Sequence, residues 1–197
     1  MLTEALPVLR RDPVMAELID RHEPYDEPAW TAYERLCISI INQQLSTASA
    51  TAIRERVFDH FDGDLTPEAV IDADDQPLRD AGLSRQKLMY LRNAARAFSE
   101  REYTREAVAD CSNAEVVDRL TEITGVGEWT ARMYLLFVLR RPDILPLGDL
   151  AVRRQIERLY GDGTGMTRGE MREIAEQWQP YRSVATRYLW AAYESDS

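Results

Sequence analysis

Apolar residues recur along the chain at intervals of three and four positions, the spacing that places side chains on one face of an α-helix. Leu36, Ile40 and Ile41 begin one such run, and it resumes over residues 48–61 after a polar break at residues 42–46. The strict alternation of apolar and polar residues that marks a half-buried strand hardly occurs. The pattern therefore predicts an all-α protein in which two helices meet at the break.

Residues that favour helix ends mark further boundaries. Pro180 separates a helix ending near Trp178 from a last helix, because proline lacks the N–H that a helix interior needs. The glycine-rich residues 161–165 lack the Lys-Ser/Thr pair and the preceding strand of a phosphate-binding loop, so they are interpreted as a helix connection. Additional helix starts are indicated by N-cap residues, two of them with capping-box spacing: Thr66, Ser84, Ser112 with Glu115, and Thr167 with Glu170.

The length and composition are those of a globular protein. The chain has 197 residues, of which 45% are hydrophobic and 29% charged, so there is room for one domain or two small lobes. No apolar run approaches the roughly 20 residues of a membrane span, and the N-terminus lacks the apolar core of a signal peptide. We therefore expect a cytoplasmic protein without a membrane partner.

Cysteine and histidine usage excludes several kinds of site. Cys37 and Cys111 are the two cysteines and lie far apart, too few for a disulfide framework, a four-cysteine zinc site or a cysteine-ligated iron-sulfur cluster. His22 and His60 have no metal-ligand spacing with acidic or cysteine neighbours. No cofactor is therefore expected to be required.

The charge is strongly negative but unevenly distributed. There are 34 acidic and 24 basic residues, a net charge of −10, and Lys87 is the only lysine. This balance by itself disfavours a nucleic-acid partner, and it also agrees with adaptation to high salt. Residues 119–168 differ, because eight basic and six acidic residues give them a net charge of +2. A phosphate could bind there.

The segment with the clearest functional signal is residues 120–131, Leu-Thr-Glu-Ile-Thr-Gly-Val-Gly-Glu-Trp-Thr-Ala. It is typical of a helix, a tight turn and a second helix. Gly125 and Gly127 flank Val126 and permit positive φ and a close backbone approach, and the N–H groups at the start of the second helix can hold a phosphate. An ordinary helical hairpin with a glycine turn is the alternative.

The segment resembles the helix-hairpin-helix motif of the HhH-GPD superfamily of DNA glycosylases. In that family the hairpin is followed by a Gly/Pro-rich segment and an essential aspartate, which matches Asp149 within Leu-Pro-Leu-Gly-Asp at residues 145–149. Residues 40–46, Ile-Ile-Asn-Gln-Gln-Leu-Ser, resemble the lesion-probing turn, and residues 178–183, Trp-Gln-Pro-Tyr-Arg-Ser, the C-terminal helix junction. The greatest similarity is to the alkylation-repair branch, that of 3-methyladenine DNA glycosylase II, without its extra N-terminal β domain.

The resemblance implies a two-lobed helical bundle with the active cleft between the lobes. One lobe, residues 31–142, would contain the lesion-probing turn and the hairpin. The second lobe, built from residues 1–30 and 143–197, would carry the catalytic aspartate.

The resemblance also implies a role for Asp149. Breaking the N-glycosidic bond leaves positive charge on the sugar, which a nearby carboxylate stabilises, and the same group can orient or deprotonate the attacking water. The alternative is that Asp149 only caps the helix that follows it. The two roles are compatible.

Base flipping and lesion recognition are assigned in the same way. Gln44 would enter the base stack, with Asn42, Gln43 and Leu45 close by, although residues 42–46 could simply end one helix and cap the next. An electron-poor alkylated base would be held by aromatic faces. The substrate pocket implied by the resemblance comprises Trp129, Tyr181, Met133 and Tyr134. Trp129 and Tyr181 could each instead be a core aromatic. Met133 stands where the branch places an aromatic residue, and Tyr134 is one step away.

Contacts to DNA and to a cation complete the expected site. A structural Na⁺ or K⁺ would be held by backbone oxygens of Thr121, Ile123 and Val126. Arg132 and Arg154 are further candidates for phosphate binding, with an exposed helix face as the alternative. The residues expected to contact DNA are Gln43, Gln44, Leu45, Gly125, Val126, Gly127, Thr130 and Arg153.

The expected activity is that of a monofunctional DNA glycosylase. Bifunctional branches carry a hairpin lysine that forms a Schiff base, but Trp129 occupies that position and Lys87 lies outside every motif. The enzyme would act as a monomer on damaged double-stranded DNA, release 3-methyladenine or 7-methylguanine and leave an abasic site. The alternatives are a glycosylase for another lesion, a noncatalytic helix-hairpin-helix DNA-binding protein and a purely structural bundle.

Overall fold

The computed structural model describes residues 2–162 and 165–195, and these form helices and no strands, which confirms the all-α prediction. In chain order the helices are α1 (Leu2–Leu9), α2 (Pro13–Arg21), α3 (Ala32–Asn42), α4 (Thr47–His60), α5 (Pro67–Asp72), α6 (Asp75–Asp80), α7 (Arg85–Glu100), α8 (Asn113–Thr121), α9 (Glu128–Phe137), α10 (Leu150–Tyr160), α11 (Arg168–Glu176) and α12 (Arg182–Ser195).

The helix starts inferred from the sequence are confirmed. Thr66 and Ser84 accept hydrogen bonds from the first turns of α5 and α7, and both predicted capping boxes form, at the starts of α8 and α11. The break at residues 42–46 separates α3 from α4. The helix before Pro180 ends at Glu176, two residues earlier than expected. The predicted helix connection at 161–165 includes Gly163 and Thr164, which lie outside the described residues.

The chain divides into two compact units. The central unit comprises Ala29–Leu139, and the terminal unit combines the residues up to Pro28 with those from Arg140 onward. The division into lobes with an active cleft between them remains a prediction.

The central unit is built around α3. Its residues from Arg35 to Ile41 are all buried, because α4, α7 and α9 pack around this one helix. A helix that is covered on every side must be apolar on almost every side, which explains why the sequence from Leu36 to Ile41 is nearly continuous in apolar residues. The C-terminal end of α3 is thereby held in a fixed position, and the lesion-probing turn begins there.

The terminal unit packs α12 against α1, α2 and α10. Trp178 is completely buried in its core, and its indole N–H donates to the carboxylate of Asp12 at 2.9 Å. The same carboxylate caps α2 through Val14 N–H and accepts from the Tyr160 hydroxyl. Asp12 is therefore buried with its oxygens hydrogen-bonded, which is the condition for placing a carboxyl group in a core.

Candidate active site and DNA-binding turns

Asp149 is held by hydrogen bonds at the start of a helix. It is the N-cap of α10, and its Oδ1 accepts hydrogen bonds from Val152 N–H at 3.0 Å and from the indole N–H of Trp190 at 3.2 Å. The capping interpretation is therefore confirmed. The start of a helix also favours a negative charge, so capping and a catalytic carboxylate can coexist at this position.

The loop that precedes Asp149 is held by α12. The Ser183 hydroxyl donates to the Arg141 carbonyl at 2.6 Å and accepts from Ile144 N–H at 2.9 Å, while Thr186 lies 3.5 Å from the Ile144 carbonyl. Ser183, Thr186 and Trp190 follow one another at i, i+3 and i+7, the spacing of one helix face. One face of α12 therefore positions both the loop and the carboxylate at its end.

An ion pair reinforces this arrangement. Arg182 donates to both carboxylate oxygens of Asp143, at 2.6 and 2.8 Å, and both side chains are largely buried. A paired, bidentate contact of this kind is among the stronger side-chain interactions and has a defined geometry. It fixes the start of α12 relative to residues 140–149.

The structure changes the interpretation of Arg153. Its guanidinium donates to the carbonyl oxygens of Leu147 at 2.8 Å and Gly148 at 3.0 Å, so it stabilises the turn before Asp149. The phosphate contact that the sequence analysis assigns to Arg153 stays a prediction. The other two arginine candidates also have intramolecular contacts: Arg132 pairs with Glu128 at 2.7 Å and Arg154 lies 3.4 Å from the Tyr193 hydroxyl.

The lesion-probing turn presents two side chains to the surface. Gln44 is exposed and has a positive φ of 57°, and the side chain of Leu45 is 37% exposed. Ser46 ends the turn by capping α4. A non-glycine residue in the left-handed region is uncommon, and here it places Gln44 at the tip. This geometry suits insertion into DNA, while the role itself stays a prediction.

Gln43 points into the central unit. Its Nε2 donates to the Gly125 carbonyl at 3.0 Å and to the Thr130 hydroxyl at 3.3 Å. Gln43 therefore ties the lesion-probing turn to the hairpin. The expected contact of Gln43 with DNA stays a prediction.

The hairpin uses its two glycines differently. Gly125 has a φ of +105°, and a Cβ there would lie only 2.2 Å from the ring of Tyr90. Gly127 has a φ of −97° and caps α9, and a Cβ there would meet nothing within 4 Å. Of the two glycines that permit positive φ, only Gly125 adopts it, and the group that approaches it closely is a tyrosine ring.

The start of α9 has the features of an anion-binding site. No side chain caps its first turn, and the backbone at Gly127 is sterically open. A helix N-terminus with accessible N–H groups binds phosphate readily. By contrast, the side chains of Val126 and Thr130 are buried. Val126 and Thr130 are expected to contact DNA, and because their side chains are buried this contact would be made by backbone atoms; it stays a prediction.

The predicted pocket residues separate into two groups. Trp129, in the first turn of α9, and Tyr181, packed against the core of the terminal unit, are both partly exposed. Met133 and Tyr134 are buried, and the Tyr134 hydroxyl donates to the Tyr103 carbonyl. Burial also raises the pKa of Tyr134. We therefore correct the assignment of Tyr134, which is a core residue of the central unit.

The predicted cation site would use backbone oxygens. The Ile123 carbonyl accepts from Val126 N–H at 2.9 Å, but a carbonyl oxygen has two lone pairs and can also bind a cation. The Thr121 hydroxyl donates within its own helix, which leaves the backbone oxygen as its ligand atom. No cluster of acidic, histidine or cysteine residues able to bind a metal occurs among the described residues. Neutral oxygens alone suit Na⁺ or K⁺ better than a transition metal.

Sequence reasoning missed three residues that shape these features. Trp190 binds Asp149, Tyr90 covers Gly125, and Lys87 donates to the carbonyl of Ile41 at the end of α3. The signal for Trp190 was its helical spacing from Ser183. Nothing in the local sequence indicated the contacts of Tyr90 or Lys87.

The helical hairpin and the capping aspartate, in an all-helical chain, define a protein of the helix-hairpin-helix class. The family model of the HhH-GPD superfamily base excision DNA repair proteins matches residues 37–180, and the chain belongs to this family. The resemblance seen in the sequence is thereby confirmed. In the described residues, no helix is long and apolar enough to cross a membrane.

Named relatives and solved structures agree with this assignment. DNA-3-methyladenine glycosylase 1 of Schizosaccharomyces pombe is 34% identical over 161 residues, which are 80% of this chain and 71% of the relative. The structure of Schizosaccharomyces pombe 3-methyladenine DNA glycosylase in complex with abasic DNA superposes with a TM-score of 0.87 at 30% identity, covering 97% of both chains. DNA-3-methyladenine glycosylase 2 of Escherichia coli is 26% identical over 169 residues, 81% of this chain and 57% of the relative. The chain likewise spans 60% of the length of a Bacillus subtilis relative.

Proposed function

We propose that this protein is a monofunctional DNA glycosylase that hydrolyses the N-glycosidic bond of alkylated purines, such as 3-methyladenine and 7-methylguanine, in double-stranded DNA. The observation that carries the proposal is the position of Asp149, whose carboxylate is oriented by Val152 N–H and the Trp190 indole at the start of α10. Family membership and the names of the relatives support the same activity.

Asp149 supplies the chemistry. As the bond to the base breaks, the sugar develops positive charge, and a fixed carboxylate stabilises that charge more than it stabilises the neutral substrate. The same carboxylate orients the attacking water and accepts its proton. A carboxylate already held by two hydrogen bonds needs little reorganisation during the reaction, which is the advantage of a preorganised site.

DNA is opened by the lesion-probing turn and held by the hairpin. Gln44 and Leu45, both exposed, enter the stack and offset the cost of removing a nucleotide, a few kcal/mol in general. The open backbone at Gly127 and the first turn of α9 bind a phosphate. Trp129 stacks on the flipped base, which an alkyl group makes more electron-poor and often cationic.

The reaction stops at an abasic site. A strand-cleaving enzyme needs an amine nucleophile beside the sugar, and Lys87, the sole lysine, is engaged with the Ile41 carbonyl inside the central unit. The enzyme acts in the cytoplasm as a monomer, with no iron-sulfur cluster and no required cofactor. A Na⁺ or K⁺ ion on the backbone oxygens of Thr121, Ile123 and Val126 would be structural.

The test is release of free base from methylated duplex DNA, with the salt concentration varied up to molar levels because the chain is acidic and poor in lysine. We expect the wild type to release methylpurines and to leave intact strands containing abasic sites. Asp149→Asn, which keeps the ability to cap α10, is expected to lower the rate by at least about a hundredfold.

Asp74→Asn is the matched control, because Asp74 is an exposed N-cap whose side chain makes no capping bond. It should leave the rate unchanged. No release of methylpurines by the folded wild type at any salt concentration would refute the proposal. Damage-dependent DNA binding without release would then favour the noncatalytic alternative, and release of another base would change the lesion class.

A further inference from the structure

Lys87 lies in the first turn of α7 and reaches the end of α3. Its Nζ donates to the Ile41 carbonyl at 2.5 Å, a contact between residues 46 positions apart. Partial burial lowers the pKa of Lys87 from its ordinary value, so the contact costs some solvation of the ammonium group. The chain contains no other lysine.

The physical effect of this contact follows from the nature of a helix end. The last four carbonyls of a helix have no N–H partner within the helix, and the end carries partial negative charge. An ammonium group satisfies such a carbonyl and complements that charge. Ile41 is the penultimate residue of α3, and the backbone leaves the helical conformation at the C-cap, Gln43. The contact of Lys87 therefore lies immediately before the lesion-probing turn.

The same side of α7 also supports the hairpin. Tyr90, three residues after Lys87, packs its ring against Gly125, and Asn93, three residues further, donates from Nδ2 to the Thr124 carbonyl at 3.3 Å. Because three side chains spaced by three residues contact both turns, α7 holds the two turns in a fixed relation. Lys87 is the one of the three that serves the lesion-probing turn.

We propose that Lys87 is a positioning residue, which holds the lesion-probing turn rigid while Gln44 and Leu45 displace a base pair. The inference rests on the proposed function and extends it to a residue outside the motifs. If the turn yields when it is pressed against the stack, part of its binding energy is lost, and the cost of opening the duplex is no longer offset. The fall in the rate of base release must therefore be larger when the base pair that has to be broken is stronger.

The experiment compares single-turnover release of 7-methylguanine from two duplexes, one with cytosine opposite the lesion and one with a mismatched thymine. Lys87→Met is expected to lower the rate about tenfold on the paired duplex, as for loss of a charged hydrogen bond, and by less than about threefold on the mismatched one. Lys87→Arg retains charge and donors and should restore most of the rate on the paired duplex. Arg85→Met removes one exposed positive charge from the same turn of α7 and is the matched control.

Each outcome decides the proposal. If Lys87→Met lowers the rate of base release equally on both duplexes, Lys87 has a general structural role and the proposal is overturned. It is also overturned if Lys87→Met is as fast as Arg85→Met on the paired duplex. A Lys87→Arg variant as slow as Lys87→Met on the paired duplex would also overturn it, because a positively charged donor at the end of α3 would then not be what supports the turn. An inactive wild type on both duplexes would refute the proposed function itself. Thermal unfolding of each variant confirms that the compared proteins are folded.

Discussion

The side-chain amide of Gln43 lies 3.0 Å from the carbonyl oxygen of Gly125, although 82 positions separate the two residues. One residue thus joins the turn expected to open the duplex to the turn expected to hold its phosphate. The bond is partly buried, and it is supplemented by the contact of the same amide with the Thr130 hydroxyl. The two turns of the central unit that are expected to contact DNA are therefore coupled by side-chain hydrogen bonds.

Breaking this link should weaken both the fold and DNA binding. Gln43→Leu leaves the Gly125 carbonyl and the Thr130 hydroxyl without their donor, so we expect the free energy of unfolding to fall by about 1–2 kcal/mol. Affinity for duplex DNA containing an abasic site should fall as well, as measured by fluorescence anisotropy. Gln177→Leu, which removes an exposed bond to a carbonyl three residues away, is the control for stability. An unchanged affinity of Gln43→Leu would contradict the coupling.

The two hairpin glycines should respond in opposite ways to the same substitution. In Gly125→Ala the new Cβ meets the Tyr90 ring and the residue keeps a positive φ. We therefore expect the free energy of unfolding to fall by about 2–4 kcal/mol. Gly127→Ala meets no atom and has an ordinary φ, so its stability should change by less than about 1 kcal/mol. Urea unfolding of both variants measures the difference, and equal effects would refute this account of the hairpin.

The capping role of Asp149 can be measured separately from catalysis. Asp149→Ala should destabilise the protein by about 1 kcal/mol, whereas Asp149→Asn should be nearly neutral because asparagine is an equally good N-cap. Thr66→Ala removes a comparable cap from α5, and its loss of stability is the reference for comparison. If Asp149→Asn unfolds as easily as Asp149→Ala, the loss of base release in that variant could not be assigned to the missing charge.

Trp190 is predicted to affect the rate more than the fold. Trp190→Phe keeps an aromatic ring near Tyr25, whose centroid is 5.9 Å away, but removes the N–H that binds Asp149. We expect kcat for base release to fall about tenfold with KM changed by less than about threefold, as for a lost hydrogen bond to a charged group. Trp30→Phe, at an edge contact with Phe58, is the matched control. An unaltered kcat would remove Trp190 from the list of positioning residues.

The capping boxes at the starts of α8 and α11 predict a component of acid sensitivity. Hydrogen bonds from Ser112 lower the pKa of Glu115, and hydrogen bonds from Thr167 lower the pKa of Glu170. Because both pKa values lie below their unfolded values, the stabilisation is present above the ordinary glutamate pKa and is lost as the pH falls through the folded-state pKa. The double variant Glu115→Gln with Glu170→Gln keeps the capping boxes. Its stability should therefore decline less steeply in acid, as followed by urea unfolding at several pH values; identical slopes would contradict the prediction.

Local interactions explain why so much of the fold could be predicted. An N-cap or capping box joins residues three positions apart, so Thr66 and the pair Ser112 and Glu115 mark helix starts whatever packs around them. The hydrophobic spacing likewise identifies a buried face without reference to the partner helix. Asp149 belongs to this group, since its cap on α10 is a contact within four residues.

The tertiary structure alone decided which side chains of the candidate site point outward. Thr130 and Tyr134 belong to the same helix as Trp129, yet the packing of α9 buries the first two and leaves Trp129 partly exposed. The bonds from Gln43 to Gly125, from Trp190 to Asp149 and from Lys87 to Ile41 join residues 82, 41 and 46 positions apart. Such contacts depend on how helices pack in three dimensions, and a pattern that repeats every three or four residues carries no information about that packing.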